Sequence, residues 1–258
     1  MDWDNLFGKH QISNGNFKIF DLGCLTLELK SEKEGWSLKS TVGGNGDNPM
    51  PGKTADTGEY FQTGKSNSVV IAPALPEKPL VFKSSRLTIL PGEKLTFFLK
   101  IPLNIQIYSP KLSDENLLRE IPSKRLSDTW FGEPDEGEAA FALGSEYFLN
   151  FDTIETTPLE AVCPVTIFNH SSALCEVQRL IIRVENLSVY RNSGKKTTSM
   201  VQLEYKGQEV LGSAEYRYSK SYNGEKQEVI AKPRNISGIN LLKMNFQTIK
   251  NRYKSEQE

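Results

Sequence analysis

An all-β protein with two antiparallel, sandwich-like halves and a C-terminal α-helix is what the sequence predicts, on three observations. Short runs rich in β-branched and aromatic residues recur roughly every ten residues, separated by Gly, Asn, Ser or Pro, as in a sandwich or barrel. Within the runs apolar and polar residues alternate, because successive side chains of a half-buried strand point to opposite faces. The length of 258 residues stands at the upper edge of what one core serves. We therefore expect an N-terminal β domain over 1–155 and a C-terminal sandwich-like domain over 156–258, with the polar stretch 150–157 ahead of Pro158 as the boundary.

Taken in order, Phe17–Phe20, Leu25–Leu29 and Trp36–Val42 alternate cleanly and predict a meander. The turn-rich stretch 43–68 reads as one long Gly-rich loop, with Tyr60 and Phe61 as its anchors. Leu87–Leu90, the turn Pro91-Gly92-Glu93 and Leu95–Ile101 predict a hairpin, since Pro presets the first turn dihedral and Gly takes the second without steric cost. Ile105–Tyr108 follows as a strand. Asp114–Glu120 predicts a short helix, with Ser113 as N-cap and Pro122 as stop.

In the second half, Val165–Phe168, Leu180–Val184, Leu187–Tyr190, Ser199–Tyr205 and Ala214–Tyr218 predict an antiparallel sheet with one wet face. After Ser237 the residues Leu242, Phe246, Ile249 and Tyr253 fall at helical spacing, with Lys250, Arg252 and Lys254 near the C-terminal end, which predicts the terminal helix.

Composition narrows the function. The formal charge of −1 gives no positive field of the kind that attracts nucleic acid. No apolar run approaches the roughly 20 residues that span a bilayer, so membrane insertion is not expected. The acidic start Met1-Asp2-Trp3-Asp4 lacks a signal-peptide pattern, and three cysteines, Cys24, Cys163 and Cys175, suit free thiols in the cytoplasm. His170 between Cys163 and Cys175 matches no zinc spacing and reads as a buried histidine beside two core thiols. Gly52-Lys53-Thr54 lacks the first glycine of a phosphate loop. No metal and no cofactor is expected.

The segment Lys124–Glu138, a basic pair followed by the run LSDTWFGEPDEGE, stands apart. Gly132, Pro134 and Gly137 make it a turn-bearing loop, and two adjacent aromatics sit among five carboxylates. Carboxylates this dense repel one another unless they pair with Arg125 or Lys124, hold a cation, or spread into solvent. Arg125, Asp128, Trp130, Phe131, Glu133, Asp135, Glu136 and Glu138 are the candidate binding residues. The alternative is an exposed acidic hairpin with Trp130 and Phe131 buried as its anchor. No calcium-loop spacing is present.

This run, followed by Ala139-Ala140-Phe141-Ala142-Leu143 and preceded by Leu90-Pro91-Gly92-Glu93 and Ile101-Pro102-Leu103, resembles the prokaryotic family named domain of unknown function number four hundred and thirty-two. The resemblance covers most of the chain and carries no established activity, so no catalytic residue follows from it. It implies a cytoplasmic accessory role, with genes of this kind sometimes neighbouring those of small-conductance mechanosensitive channels. The function expected is a binding or regulatory module for a protein or small-molecule partner, with no nucleic acid and at most peripheral association with a membrane protein. The competing reading is an enzyme acting on a sugar or other polar small molecule, with Asp128, Glu133, Asp135 and Glu138 as candidate acids or bases.

Overall fold

The computed structural model of the protein describes residues 6–23, 25–42, 58–192, 194–207, 213–215, 228–234, 242–243 and 246–247. In chain order the strands are β1 (Gly8–Gln11), β2 (Phe17–Asp21), β3 (Leu25–Glu32), β4 (Gly35–Val42), β5 (Glu59–Gln62) and β6 (Ser68–Ala74). The middle of the chain supplies β7 (Leu80–Ile89), β8 (Lys94–Pro102), β9 (Asn104–Tyr108), β10 (Leu117–Pro122), β11 (Ser127–Phe131) and β12 (Glu138–Leu143). Then come β13 (Tyr147–Phe148), β14 (Glu160–Asn169), β15 (Cys175–Ile182), β16 (Val189–Asn192), β17 (Lys195–Thr198) and β18 (Val201–Tyr205). Short strands β19 (Ser213–Glu215), β20 (Glu228–Ala231), β21 (Leu242–Lys243) and β22 (Phe246–Gln247) complete the set. The all-β expectation therefore holds.

The chain forms two compact units, Met1–Ala74 with Leu103–Lys124, and Leu75–Pro102 with Arg125–Glu258. This division does not fall at 155/156. β8 lies antiparallel along β14 from Glu160 opposite Pro102 to Phe168 opposite Lys94, and so binds residues from both sides of that point into one sheet. Nor is 150–157 a linker, because Ile154 is buried against Phe98 and Val162, with Phe148 and Phe151 packed around them.

The first unit holds a sheet ordered β1-β6-β9-β10 and a second ordered β2-β3-β4-β5. The meander β2-β3-β4 forms as predicted, and along β3 buried and half-buried residues alternate without a break. Leu27, Leu29, Trp36 and Leu38 are its fully buried core. The stretch 43–68 is not loop throughout: residues 43–57 lie outside the described residues, but Glu59–Gln62 pairs with β4. Gly35 permits that pairing, since a Cβ there would lie 2.0 Å from the Phe61 carbonyl oxygen. The expected helix over Asp114–Glu120 shrinks to one 3-10 turn, Asp114–Asn116. Beyond it β10 pairs with β9, where the Glu120 carboxylate accepts from the Asn104 and Gln106 amides across the strands. A cross-strand partner set of that kind outweighs weak helical propensity.

The second unit holds a five-stranded sheet, β11-β12-β7-β15-β22, and a nine-stranded sheet built around β14. The Leu90–Glu93 turn forms where predicted, with Gly92 at φ +77° and the Glu93 amide bonded to the Leu90 carbonyl. Its two strands do not make a hairpin, however. β7 pairs with β15 and β12, while β8 pairs with β14 and β13, so the turn crosses from one sheet to the other. The β14-to-β15 connection makes the same crossing. Both faces of β7 and β8 carry apolar residues that need cover, and Phe82 meets Phe97 between the sheets at 5.9 Å.

β14 is buried over nearly its whole length and is central. β8 occupies one of its edges, and β17 then β18 follow along the other, both parallel to it. With β12 beside β7, these are parallel pairs within sheets whose other pairings are antiparallel, as expected. Pro164, with no N–H to donate, lies between Val162, opposite Thr197, and Val165, opposite Val201, where that edge changes partner.

The predicted C-terminal helix is likewise corrected where it can be seen. Leu242–Lys243 pairs with β19, and Phe246–Gln247 pairs with β15; the remaining residues of that segment lie outside the described residues. Three asparagines, Asn240, Asn245 and Asn251, weaken a window otherwise supplied with Leu, Lys and Met, and helical propensity is in any case a small term that pairing with a neighbouring strand edge overrides.

Candidate functional site

The segment singled out by composition folds as a hairpin at the edge of the five-stranded sheet. β11 pairs antiparallel with β12, from Ser127 opposite Ala142 to Phe131 opposite Glu138, and β12 pairs in turn with β7. Residues directly opposite share a face, so Phe131 and Ala140 look to one side while Asp128, Trp130, Ala139 and Phe141 look to the other. Adjacent in sequence, the two aromatics thus have opposite fates. Phe131 is buried in a cluster with Val81, Ala140 and Ile181, whereas Trp130 is 46% exposed. Of the two expected anchors only Phe131 is one.

The turn at 132–137 is closed by contacts between its own parts. Gly132 stands at φ +106°, and a Cβ there would lie 2.7 Å from the Gly137 Cα. Gly137 is more tightly enclosed, its absent Cβ falling 2.2 Å from the Trp130 Nε1 and 2.6 Å from the Phe131 oxygen. The indole lies over this glycine and donates Nε1–H to the Glu133 carbonyl at 3.0 Å. Glu133, Asp135 and Glu136 project from the turn, exposed.

The charged side chains of the hairpin find partners other than those expected. Arg125 and Lys124 are exposed, and it is Lys78 that donates to Asp128, at 2.9 Å, and lies 4.8 Å from the centre of the Phe141 ring. Arg179 of β15 donates to the Trp130 carbonyl at 2.6 Å and sits 5.5 Å from the Phe131 ring. Glu138 pairs with Arg183, whose side chain is only 7% exposed.

Glu185, two residues on, completes this charged base of the hairpin. Burial raises its carboxyl above the ordinary range, more strongly than Arg183 lowers it, and Glu138 adds to the rise. Its Oε2 is buried with no hydrogen-bond partner. An acid whose folded pKa is raised contributes stability in its protonated form, and that contribution is lost as pH rises through the folded value. Glu185→Gln should therefore melt higher than the wild type at neutral pH, and the difference should close in acid below the ordinary carboxylate range. Thermal melts at the two pH values check this; an equal gap at both would mean that the Glu185 carboxyl is not the source.

Lys78, Arg179, Arg183 and Glu185 escape a reading of the sequence. For the last two a signal exists, since Arg183 and Glu185 interrupt an otherwise apolar run from Leu180 to Val184 and its continuation to Leu187, where Asn186 is the one other polar residue. His170 departs from expectation: it is exposed and stacks on Phe168 at 6.0 Å, and the buried histidine is His10. Cys163 and Cys175 are buried free thiols, and burial pushes them up to about 12 and about 11. Among the described residues no three His, Cys, Asp or Glu side chains gather as a metal site requires.

A family model described as Protein of unknown function (DUF432) matches residues 6–250. No match is found among curated proteins or solved structures.

Proposed function

The chain belongs to the family described as Protein of unknown function (DUF432), and from that membership, which assigns no activity, we propose a binding or regulatory module that works through its β11–β12 hairpin. The observation that carries this reading is the indole of Trp130, 46% exposed although its only donor is already committed to the Glu133 carbonyl. A large aromatic left half in water, with its polar atom satisfied, offers a partner its apolar face. Exposed Glu133, Asp135 and Glu136 beside it favour a partner bearing Lys or Arg, which could stack on the indole and meet the carboxylates together.

We place this activity in the cytoplasm, a reading supported by the free thiols of Cys163 and Cys175. Among the described residues no helix is long and apolar enough to cross a membrane. An accessory role beside a membrane channel is one form of the proposal, the partner then being a basic cytoplasmic segment of that channel.

Trp130→Ala and the double variant Asp135→Asn/Glu136→Gln test it. The double variant should melt within about 0.5 kcal/mol of the wild type, as surface changes do. Trp130→Ala should cost about 1–2 kcal/mol for one lost hydrogen bond and partial burial. Both should weaken capture of an Arg-rich peptide and of partners from a native lysate. Undiminished capture by both variants would show the hairpin to be structural only.

A further inference from the structure

We propose that His10, Lys18 and the Leu6 carbonyl form a proton-operated latch on strand β1, closed while the imidazole is neutral and opened when it takes up a proton. The partners of the ring fix its tautomer. Nε2 lies 2.8 Å from the Leu6 carbonyl oxygen, which can only accept, so Nε2 carries the hydrogen. The Lys18 ammonium, which can only donate, lies 3.1 Å from Nδ1, so Nδ1 must offer its lone pair. Phe20 braces both groups, with its ring edge-to-face to the imidazole at 5.0 Å and 4.9 Å below the ammonium.

A proton on Nδ1 removes the acceptor from Lys18 and sets a second cation against the ammonium. Among the described residues no carboxylate acts on the ring to relieve this. From β2 the facing groups are Lys18 and Phe20; from β6 the register partner of His10 is the buried Val69; on β3 the residue opposite Lys18 is the buried Leu29. Among the described residues Lys18 is the charged group that acts on the ring. Burial first, and Lys18 as well, hold the imidazole below its usual 6.5, while the bond to Leu6 works the other way. The folded pKa being depressed, the latch contributes its full stability above the unfolded value of 6.5 and loses it as pH falls through the folded one.

What opens is the end strand of its sheet. β1 is four residues long and pairs with β6 alone among the described strands, so it can part without disturbing β9 on the far side of β6. Its departure bares the β6 edge from Ser68 to Ile71 and the buried Leu6. Short, singly paired edges of this kind are where local opening occurs at free energies far below global unfolding.

Ring nitrogen NMR and amide exchange on the intact chain test the latch. At neutral pH His10 should show the Nε2–H tautomer. Between neutral pH and about pH 5, exchange over residues 8–11, corrected for its intrinsic rate, should quicken about tenfold or more while β3 and β4 stay protected. His10→Gln should abolish that pH dependence, and Lys18→Met should raise the His10 pKa. If His10→Gln does not fold, Lys18→Met decides. An Nδ1–H tautomer, an exchange profile shared by wild type and His10→Gln, or a His10 pKa unmoved by Lys18→Met would each overturn the proposal.

Discussion

Asn169→Ala is expected to lower stability by about 2–4 kcal/mol, through the loss of its side-chain hydrogen bonds to the Ile89 and Ala173 carbonyls and to Ser171. Asn169 is 1% exposed, and its side chain is fully used. Nδ2 donates to the Ile89 carbonyl at 3.0 Å and to the Ala173 carbonyl at 2.8 Å, while Oδ1 accepts from the Ser171 amide and hydroxyl. Its backbone adds two bonds to the neighbouring crossing, from the Gly92 amide and to the Glu93 carbonyl. One residue thereby fastens the β7–β8 crossing to the β14–β15 crossing, two of the places where the chain passes between the sheets of the second unit. Asn169→Asp, nearly the same shape, should be no milder, because a carboxylate would face two carbonyl oxygens with no hydrogen to offer. Denaturant unfolding at an unchanged m value would report the loss as a lower midpoint. A wild-type midpoint in both variants would show that the crossings are held by packing alone.

Gly137→Ala is expected to have the largest effect on the proposed binding surface, costing about 1–3 kcal/mol as overpacking does and displacing the indole that the surface depends on. The new methyl group would lie 2.2 Å from the Trp130 Nε1, 2.6 Å from the Phe131 oxygen and 2.7 Å from the Glu133 oxygen. Two of these are backbone atoms within the turn, so the indole must swing away and surrender its bond to Glu133. Phe131, on the opposite face in its cluster with Val81, Ala140 and Ile181, should keep the hairpin on the sheet. The variant should therefore show altered Trp fluorescence and weak capture of a basic peptide while remaining folded. Wild-type emission and capture in Gly137→Ala would mean that the enclosed glycine does not place the indole.

The sequence marked the hairpin by its composition and could go no further, for a physical reason. Trp130 and Phe131 are neighbours with equal claims to burial, and which one enters the core depends on the register of β11 against β12. That register sets Phe131 opposite Glu138 and Trp130 opposite Ala139. Nor could the partners of the carboxylates be read, since Lys78, 50 residues from Asp128, and Arg183, 45 residues from Glu138, reach them through sheet pairing rather than along the chain.

Alternation along Leu25–Leu29 and Trp36–Val42, and Pro91-Gly92 at a turn, are local properties, and from these the sequence by itself determined the strands, the meander and the sharp reversals. Which strands share a sheet is decided by competition among distant edges for hydrogen bonds and cover. Only the tertiary structure shows β7 and β8 parting into different sheets across a turn that looked like a hairpin. It also gives β14 two parallel neighbours on one edge, and pairs Phe246 with Leu180 where apolar spacing suggested a helix. Backbone donors and side-chain stripes state what a segment needs; the fold decides who supplies it.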